Sequence, residues 1–269
     1  KEAGHLWAQG AAEASAGLWA GVSNYRTWCL VGAYAACFGV ELTMNNIVVS
    51  YLYDQFRVDL KTAGLLGSLF GLMNLVARSA GGVASDLAAR WVGMRGRLWV
   101  LWVSLLGSGL LCVIMGSLSS SLAGTVSSMV LFSACVQASE GATFGVVPFV
   151  SRRALGVVAG LVGAGGNAGS AVLQALFFGQ GSDTPEGIRH MGFTILCLSL
   201  GVVAVHFPMW GGMFCAEAHG ASEEEYYSRD FSDAEVKAGH HQSVLKFANL
   251  AKSQRQRAGR GGAGEGDAE

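Results

Sequence analysis

Three charged side chains stand inside long apolar runs of this sequence: Glu41, Arg78 and Glu140. A guanidinium is a permanently charged, planar fork of donors, suited to gripping a small planar oxyanion through paired hydrogen bonds. A carboxyl held away from bulk water can relay a proton. At helical spacing Arg78 shares a face with Gly64, Gly67, Gly71, Asn74 and Gly82. Glu41 aligns in the same way with Tyr34, Phe38 and Asn45, and Glu140 with Gln137 and Phe144. Each also admits a plainer reading. Arg78 lies a few residues from the end of its run, so it is within reach of a polar surface, and a structural ion pair would satisfy it equally. Either carboxyl would be satisfied by a donor on a neighbouring helix.

A second stripe lies between Gly156 and Gln174. Gly156, Gly160, Gly163, Asn167, Ser170 and Gln174 fall on one helical face, opposite Val157, Leu161, Ala168 and Leu176. Glycine costs a helix in water ~1 kcal/mol per residue against alanine. In a bilayer a row of small residues instead lets another backbone approach closely. The amide of Asn167 has two uses that spacing does not separate, contact with an anion and a hydrogen bond between helices. The glycines around Gly163 and Gly165 imitate a dinucleotide fingerprint, but no strand precedes them, and a phosphate loop lacks its Gly-Lys-Ser/Thr.

These residues need apolar helices to position them, and composition supplies them. The chain is 51% hydrophobic and 14% charged, with a mean hydropathy of +0.40 despite a polar last fifth. An ordinary globular domain is far less apolar. A net charge of -1 argues against nucleic acid as a partner. No metal-ligand spacing and no nucleophile–base pair stands out, so neither an enzyme nor a bound cofactor is expected. The six cysteines form no CxxC pair, which points to unpaired thiols buried as small hydrophobes.

About six spans are expected, each close to the ~20 residues that cross a bilayer. They run near 28–51, 62–83, two within 98–150 with a turn at 117–121, one to about 178, and 191–207. The charged segment 86–97 is expected to end the second. Trp99 and Trp102 stand where interface anchors belong. Basic residues gather on alternate connections: Arg90, Arg95 and Arg97, then Arg152 and Arg153, then the tail. The positive-inside bias places these connections and the tail in the cytoplasm. Residues 1–25 read as a connecting segment, in which Leu6, Trp7, Leu18 and Trp19 suit a membrane surface. Residues 26–212 read as the helical bundle and 213–269 as the tail. With Lys1 first and no signal peptide following, the chain reads as a fragment.

In the tail, Ser232 and Glu235 have the spacing of a capping box. A short helix with Val236, Val244, Phe247 and Ala251 on one side and a basic end at Lys252, Arg255 and Arg257 would lie on an anionic leaflet. A solvated, disordered tail is the other reading. Ser228 and Ser232 are candidate phosphorylation sites.

Several segments, taken together and in order, carry a resemblance: NYRTW at 24–28, GVEL at 39–42, GGVASDLAARWVGMRGRLWVLW at 81–102, GATFGVVPFVSRRALGVVAGLVGAGGNAGS at 141–170, HFPMWGGMF at 206–214, and YY and LKFA in the tail. The chain resembles the nitrate/nitrite porter family of the major facilitator superfamily, especially the plant and algal high-affinity nitrate transporters, along their C-terminal half. The resemblance implies spans seven to twelve of a twelve-span, all-α membrane fold that transports nitrate or nitrite by alternating access with proton symport. It makes Arg78 the anion's arginine, with Asn74, Gly165, Gly166 and Asn167 around the substrate, and leaves Glu41 and Glu140 as proton-coupling candidates. It makes Asp86, Arg90, Arg95 and Arg97 a conformational latch. The implied partners are nitrate or nitrite, protons, the bilayer, an N-terminal half with a second arginine, and a single-span accessory protein. The implied location is the plasma membrane. A half alone is not expected to transport. A membrane sensor or regulatory half, and a porter for another small anion, are the competing readings.

Overall fold

The computed structural model describes residues 15, 17–179, 182–231, 233–237, 239, 241–254 and 256. Six helices are long and apolar enough to cross a membrane: span 1, Tyr25–Phe56; span 2, Leu60–Val92; span 3, Met94–Ser117; span 4, Leu122–Phe149; span 5, Leu155–Phe177; span 6, Thr184–Val203. Their starts are fixed by local chemistry. Asn24 accepts from the Arg26 N–H, Asp59 from that of Thr62, and Ser121 from that of Gly124, each satisfying an orphan donor of the first turn. Span 2 turns into span 3 at Gly93, whose φ of 67° suits glycine.

All six expected spans are present, and the bounds of three are corrected most. The first starts at Tyr25 and reaches Phe56. The second runs through the charged segment to Val92, because Asp86 and Arg90 sit on exposed positions of a continuing helix. The last ends at Val203, and His206–Phe207 form a short strand, β1, paired antiparallel with β2, Gly211–Gly212. The six cysteines are unpaired, but only Cys37 and Cys112 are buried; Cys197 and Cys215 are exposed.

Span 1 is the centre of the bundle. Its most apolar window is 61% buried, against 22% for spans 2 and 5, which carry open faces. It is interrupted by a π-turn, Ala35–Gly39, which widens the helix by one residue per turn and rotates everything after it. Span 5 packs along this turn, span 4 packs against spans 2 and 3, and span 3 packs closely on span 6.

At one end of the bundle the tail folds back onto the helices. Three short helices, Glu223–Ser228, Asp233–Lys237 and Gln242–Ala248, lead into a turn at Asn249–Ala251. Tyr226 and Tyr227 donate to the carbonyls of Val150 and Phe149, and Ser151 donates to Asp230. Arg153 pairs with Glu235 at 2.7 Å and Lys252 with Glu223 at 2.6 Å. Phe247 stacks on Phe149, with centroids 5.0 Å apart, and the Arg152 guanidinium lies 3.9 Å from the Phe247 ring centre. Burial pushes the Asp230 carboxyl up from its ordinary range, with Ser151 and Arg153 opposing the shift. The described tail is therefore neither a solvated chain nor one amphipathic helix, because its apolar side is spent on the bundle itself. Leu6, Trp7, Ser232, Arg255 and Arg257 lie outside the described residues.

Truncating the stacked ring should loosen this docking. Phe247→Ala should cost roughly 2 kcal/mol, a rise of about thirtyfold in the open population. Hydrogen exchange across 223–251 reads it directly: faster exchange there, with spans 3 and 6 unchanged, is the expected outcome.

Candidate functional site

Span 2 meets span 4 through small residues spaced four apart. Ala77, Gly81, Ser85 and Ala89 are the buried positions of its second part, Asn74–Val92. A Cβ at Gly81 would overlap the Ala138 backbone, and one at Gly141 would overlap the backbone of Arg78. The two helices thus touch main chain to main chain, as small residues permit. This buried row is a different face from the Gly64–Gly82 stripe, of which Gly64 and Gly71 are loosely surrounded. The spacing of 77, 81, 85 and 89 is the signal that would have found it.

The crossing sets Arg78 directly against Glu140, one helical step from Gly141. Arg78 Nη2 donates to Glu140 Oε2 and, at 2.8 Å, to Glu41 Oε2. Glu41 Oε1 accepts from Asn74 Nδ2 at 3.0 Å and from Gln137 Nε2 at 2.9 Å. Gln137 Oε1 lies 3.4 Å from Arg78 Nη2, closing the ring of contacts. Asn74 and Arg78 are one turn apart, as are Gln137 and Glu140, so each helix offers a pair of side chains to the same point. Span 1 supplies Glu41 just after its π-turn.

The electrostatics are those of a buried cluster with one open side. The Glu140 side chain is 0% exposed, that of Glu41 6% and that of Arg78 37%. One guanidinium faces two carboxylates, and opposite unit charges ~4 Å apart attract by about 4 kcal/mol near a protein surface. Removing a single partner from such a cluster strands the other charge. Glu140 Oε1 and Arg78 Nε are buried and have no hydrogen-bond partner among the described residues. The Phe38 ring lies 5.9 Å from the guanidinium and stacks on Tyr34. An oxyanion reaching Arg78 must share it with these carboxylates or displace one of them.

The structure brings Arg78, Asn74, Glu41 and Glu140 together and adds Gln137, which the sequence aligned with Glu140 without giving it a role. The glycines of span 5 lie on two faces, only one of which belongs to the stripe. Gly165, Gly166 and Gly169 abut Val31, Tyr34, Phe38 and Ala35 of span 1, where any Cβ would collide. Gly156, Gly160 and Gly163 have nothing within 4 Å of a Cβ, and Asn167 is exposed, donating to the Gly163 carbonyl of its own helix at 3.1 Å. Asn167 is therefore not gathered with Arg78. Phe38 links the two regions, because it touches the Gly166 position on one side and the guanidinium on the other.

Of the four latch candidates, Asp86 and Arg97 meet at 2.6 Å. Arg97 also reaches Ser85 and lies over the Phe149 ring, 5.2 Å from its centre. Arg95 instead donates to the carbonyls of Gly212 and Cys215, and Arg90 is exposed.

The chain is 47% identical over 258 residues to nitrate transporter 2.2 of Chlamydomonas reinhardtii, covering 92% of this chain and 50% of the relative. It is 47% identical to high-affinity nitrate transporter 2.3 of Oryza sativa subsp. japonica, over 84% of this chain and 44% of the relative. It is 46% identical to high affinity nitrate transporter 2.5 of Arabidopsis thaliana, over 88% of this chain and 48% of the relative. This chain belongs to the nitrate/nitrite porter family of the major facilitator superfamily. It is an integral membrane protein, all-α and polytopic, and it spans about half the length of these porter relatives. No protein-family model and no solved structure matches it.

The crossing itself is testable. Gly141→Val in the full-length porter should push spans 2 and 4 apart, costing roughly 1–3 kcal/mol as overpacking does, and pull Glu140 off Arg78. A lower unfolding temperature in detergent is expected.

Proposed function

We propose that the chain supplies the C-terminal half of a nitrate transporter that works by alternating access and proton symport. The observation that carries this reading is Arg78, a half-open guanidinium held from inside the bundle by Glu41 and Glu140. Nitrate and nitrite are both planar oxyanions that fit the fork. The relatives' names as nitrate transporters support nitrate. In this reading Arg78 and Asn74 contact the anion. Asn167 lines the path, Gly165 and Gly166 set Phe38 beside it through their packing on span 1, and an N-terminal half presents a second cation across the open faces of spans 2 and 5. The pair Glu41 and Glu140 supplies the candidates for the proton-coupling carboxyl. Asp86 and Arg97, with Arg90 and Arg95 beside them, act as the latch between conformations.

The proposed domains are residues 1–25 as the connection to the other half, 26–212 as the bundle and 213–269 as the tail. The basic connections at Arg90–Arg97 and Arg152–Arg153 support a cytoplasmic tail, and the plasma membrane is the location in which a nitrate importer works. A single-span accessory membrane protein completes the proposed partners.

A second reading draws on the same two carboxylates: Arg78 as a structural ion-pair centre in a non-transporting sensor or regulatory half. Substitution of Arg78 separates them. In the full-length protein, Arg78→Lys keeps the charge but loses the planar fork, and nitrate affinity should fall roughly 30–150-fold, the ~2–3 kcal/mol of charge-assisted hydrogen bonds. Arg78→Ala should abolish uptake at unchanged surface abundance. Uptake with unaltered affinity would leave only the structural role. Competition by nitrite and by other small anions ranks the substrates.

A further inference from the structure

Glu41 and Glu140 hold the same guanidinium, but they are not equivalent. Glu41 is fixed by three donors from two other helices, Asn74 and Arg78 of span 2 and Gln137 of span 4. Glu140 is fixed by Arg78 alone, and its second oxygen, Oε1, is fully buried without a partner among the described residues. The lone pairs of that oxygen are where a proton can sit without displacing an existing donor. Resting on the nitrate reading, we infer that Glu140 is the coupling carboxyl whose proton is exchanged with each anion, and that Glu41 is a fixed counter-ion that positions Arg78.

The charge count supports the assignment. Arg78 with two carboxylates carries a formal charge of -1, and a bound nitrate would make it -2 inside an apolar bundle. One proton added to Glu140 restores -1. The step balances: a proton from water adds to the Glu140 carboxylate, the ion pair with Arg78 Nη2 opens, and a nitrate oxygen accepts that N–H in its place. Release on the other side reverses it, with nitrate leaving, the proton leaving, and the carboxylate returning to the guanidinium. The anion and the proton therefore travel together, because each removes the obstacle to the other.

The other ionisable groups around Glu140 leave it this role. From span 1 these are Glu41, Tyr34 and Cys37; the Tyr34 ring lies against Phe144 of span 4, and Cys37 lies against Ser139 and Thr143. From span 2 it is Arg78. From span 3 it is Arg97, which reaches the Gly145 end of span 4 and is already paired with Asp86. Cys135 shares the helix of Glu140. Arg78 is the one of these that makes an ion pair with Glu140.

The test uses the full-length protein in proteoliposomes, with nitrate affinity and nitrate-driven proton flux followed from acid to alkaline pH. In the wild type the Kd should rise about tenfold per pH unit on the alkaline limb, the slope of one linked proton. Glu140→Gln should flatten that slope and abolish proton flux while nitrate–nitrate exchange persists. Glu140→Asp, which keeps a carboxyl, should retain the slope with its midpoint moved. Glu41→Gln should shift the affinity by a similar factor at every pH and keep the slope. A Glu140→Gln protein with the wild-type slope, or a Glu41→Gln protein that loses it, would overturn the assignment. If Glu140→Gln does not reach the membrane, a Glu140→Asp midpoint identical to wild type overturns it instead. A wild type that moves nitrate with no pH dependence overturns it too, whereas a wild type that moves no nitrate at any pH removes the transport reading beneath it.

Discussion

A guanidinium inside an apolar bundle has to be paired, and the pairing of Arg78 organises much of what surrounds it. Two carboxylates from two different helices converge on one nitrogen, Nη2. That convergence requires spans 2 and 4 to meet at main-chain distance, hence Gly81 and Gly141. It also requires span 1 to turn Glu41 inward, which the π-turn just before it accomplishes. The net result is a cluster with more negative than positive charge and one side open. Such a cluster is poised between two states, one with its own carboxylates on the cation and one with a foreign anion there.

Two aromatic rings connect this centre to the rest of the half. Phe38 stands between Arg78 and the Gly166 packing surface of span 5, so a shift of that span is felt at the guanidinium. Phe149 stands between Arg97 and Phe247, so the Asp86–Arg97 pair and the docked tail share one ring. The tail ties together the start of span 1, the connection between spans 4 and 5, and the segment after span 6 through Tyr226, Tyr227, Glu235 and Glu223. In a transporter that rocks one half against the other, such a clasp would make this half move as one body.

Most of the fold was legible in the sequence, because six apolar runs bounded by turn and cap residues leave little choice in a bilayer. The cluster was legible in parts. Arg78, Asn74, Glu41 and Glu140 each stood out as polar groups in apolar surroundings. Their meeting point did not, since it depends on the π-turn, which breaks the 3.6-residue period, and on the small-residue row at 77, 81, 85 and 89. On span 5, small residues occur on two faces, and periodicity does not tell the face packed within this half from the open one. Gln137 was visible only as a neighbour of Glu140. The tail's docking was invisible, because its contacts are single aromatic and ionic pairs between segments far apart in sequence.

The central claim is that an anion and Glu140 compete for the same nitrogen of Arg78. The most direct measurement is a side-chain-resolution structure of the full-length protein at acid pH with nitrate bound. The account predicts a nitrate oxygen within hydrogen-bond distance of Arg78 Nη2, the Glu140 carboxyl withdrawn from it, and Glu41 still held by Asn74 and Gln137. Nitrate bound elsewhere, with both carboxylates still on Arg78, would contradict it.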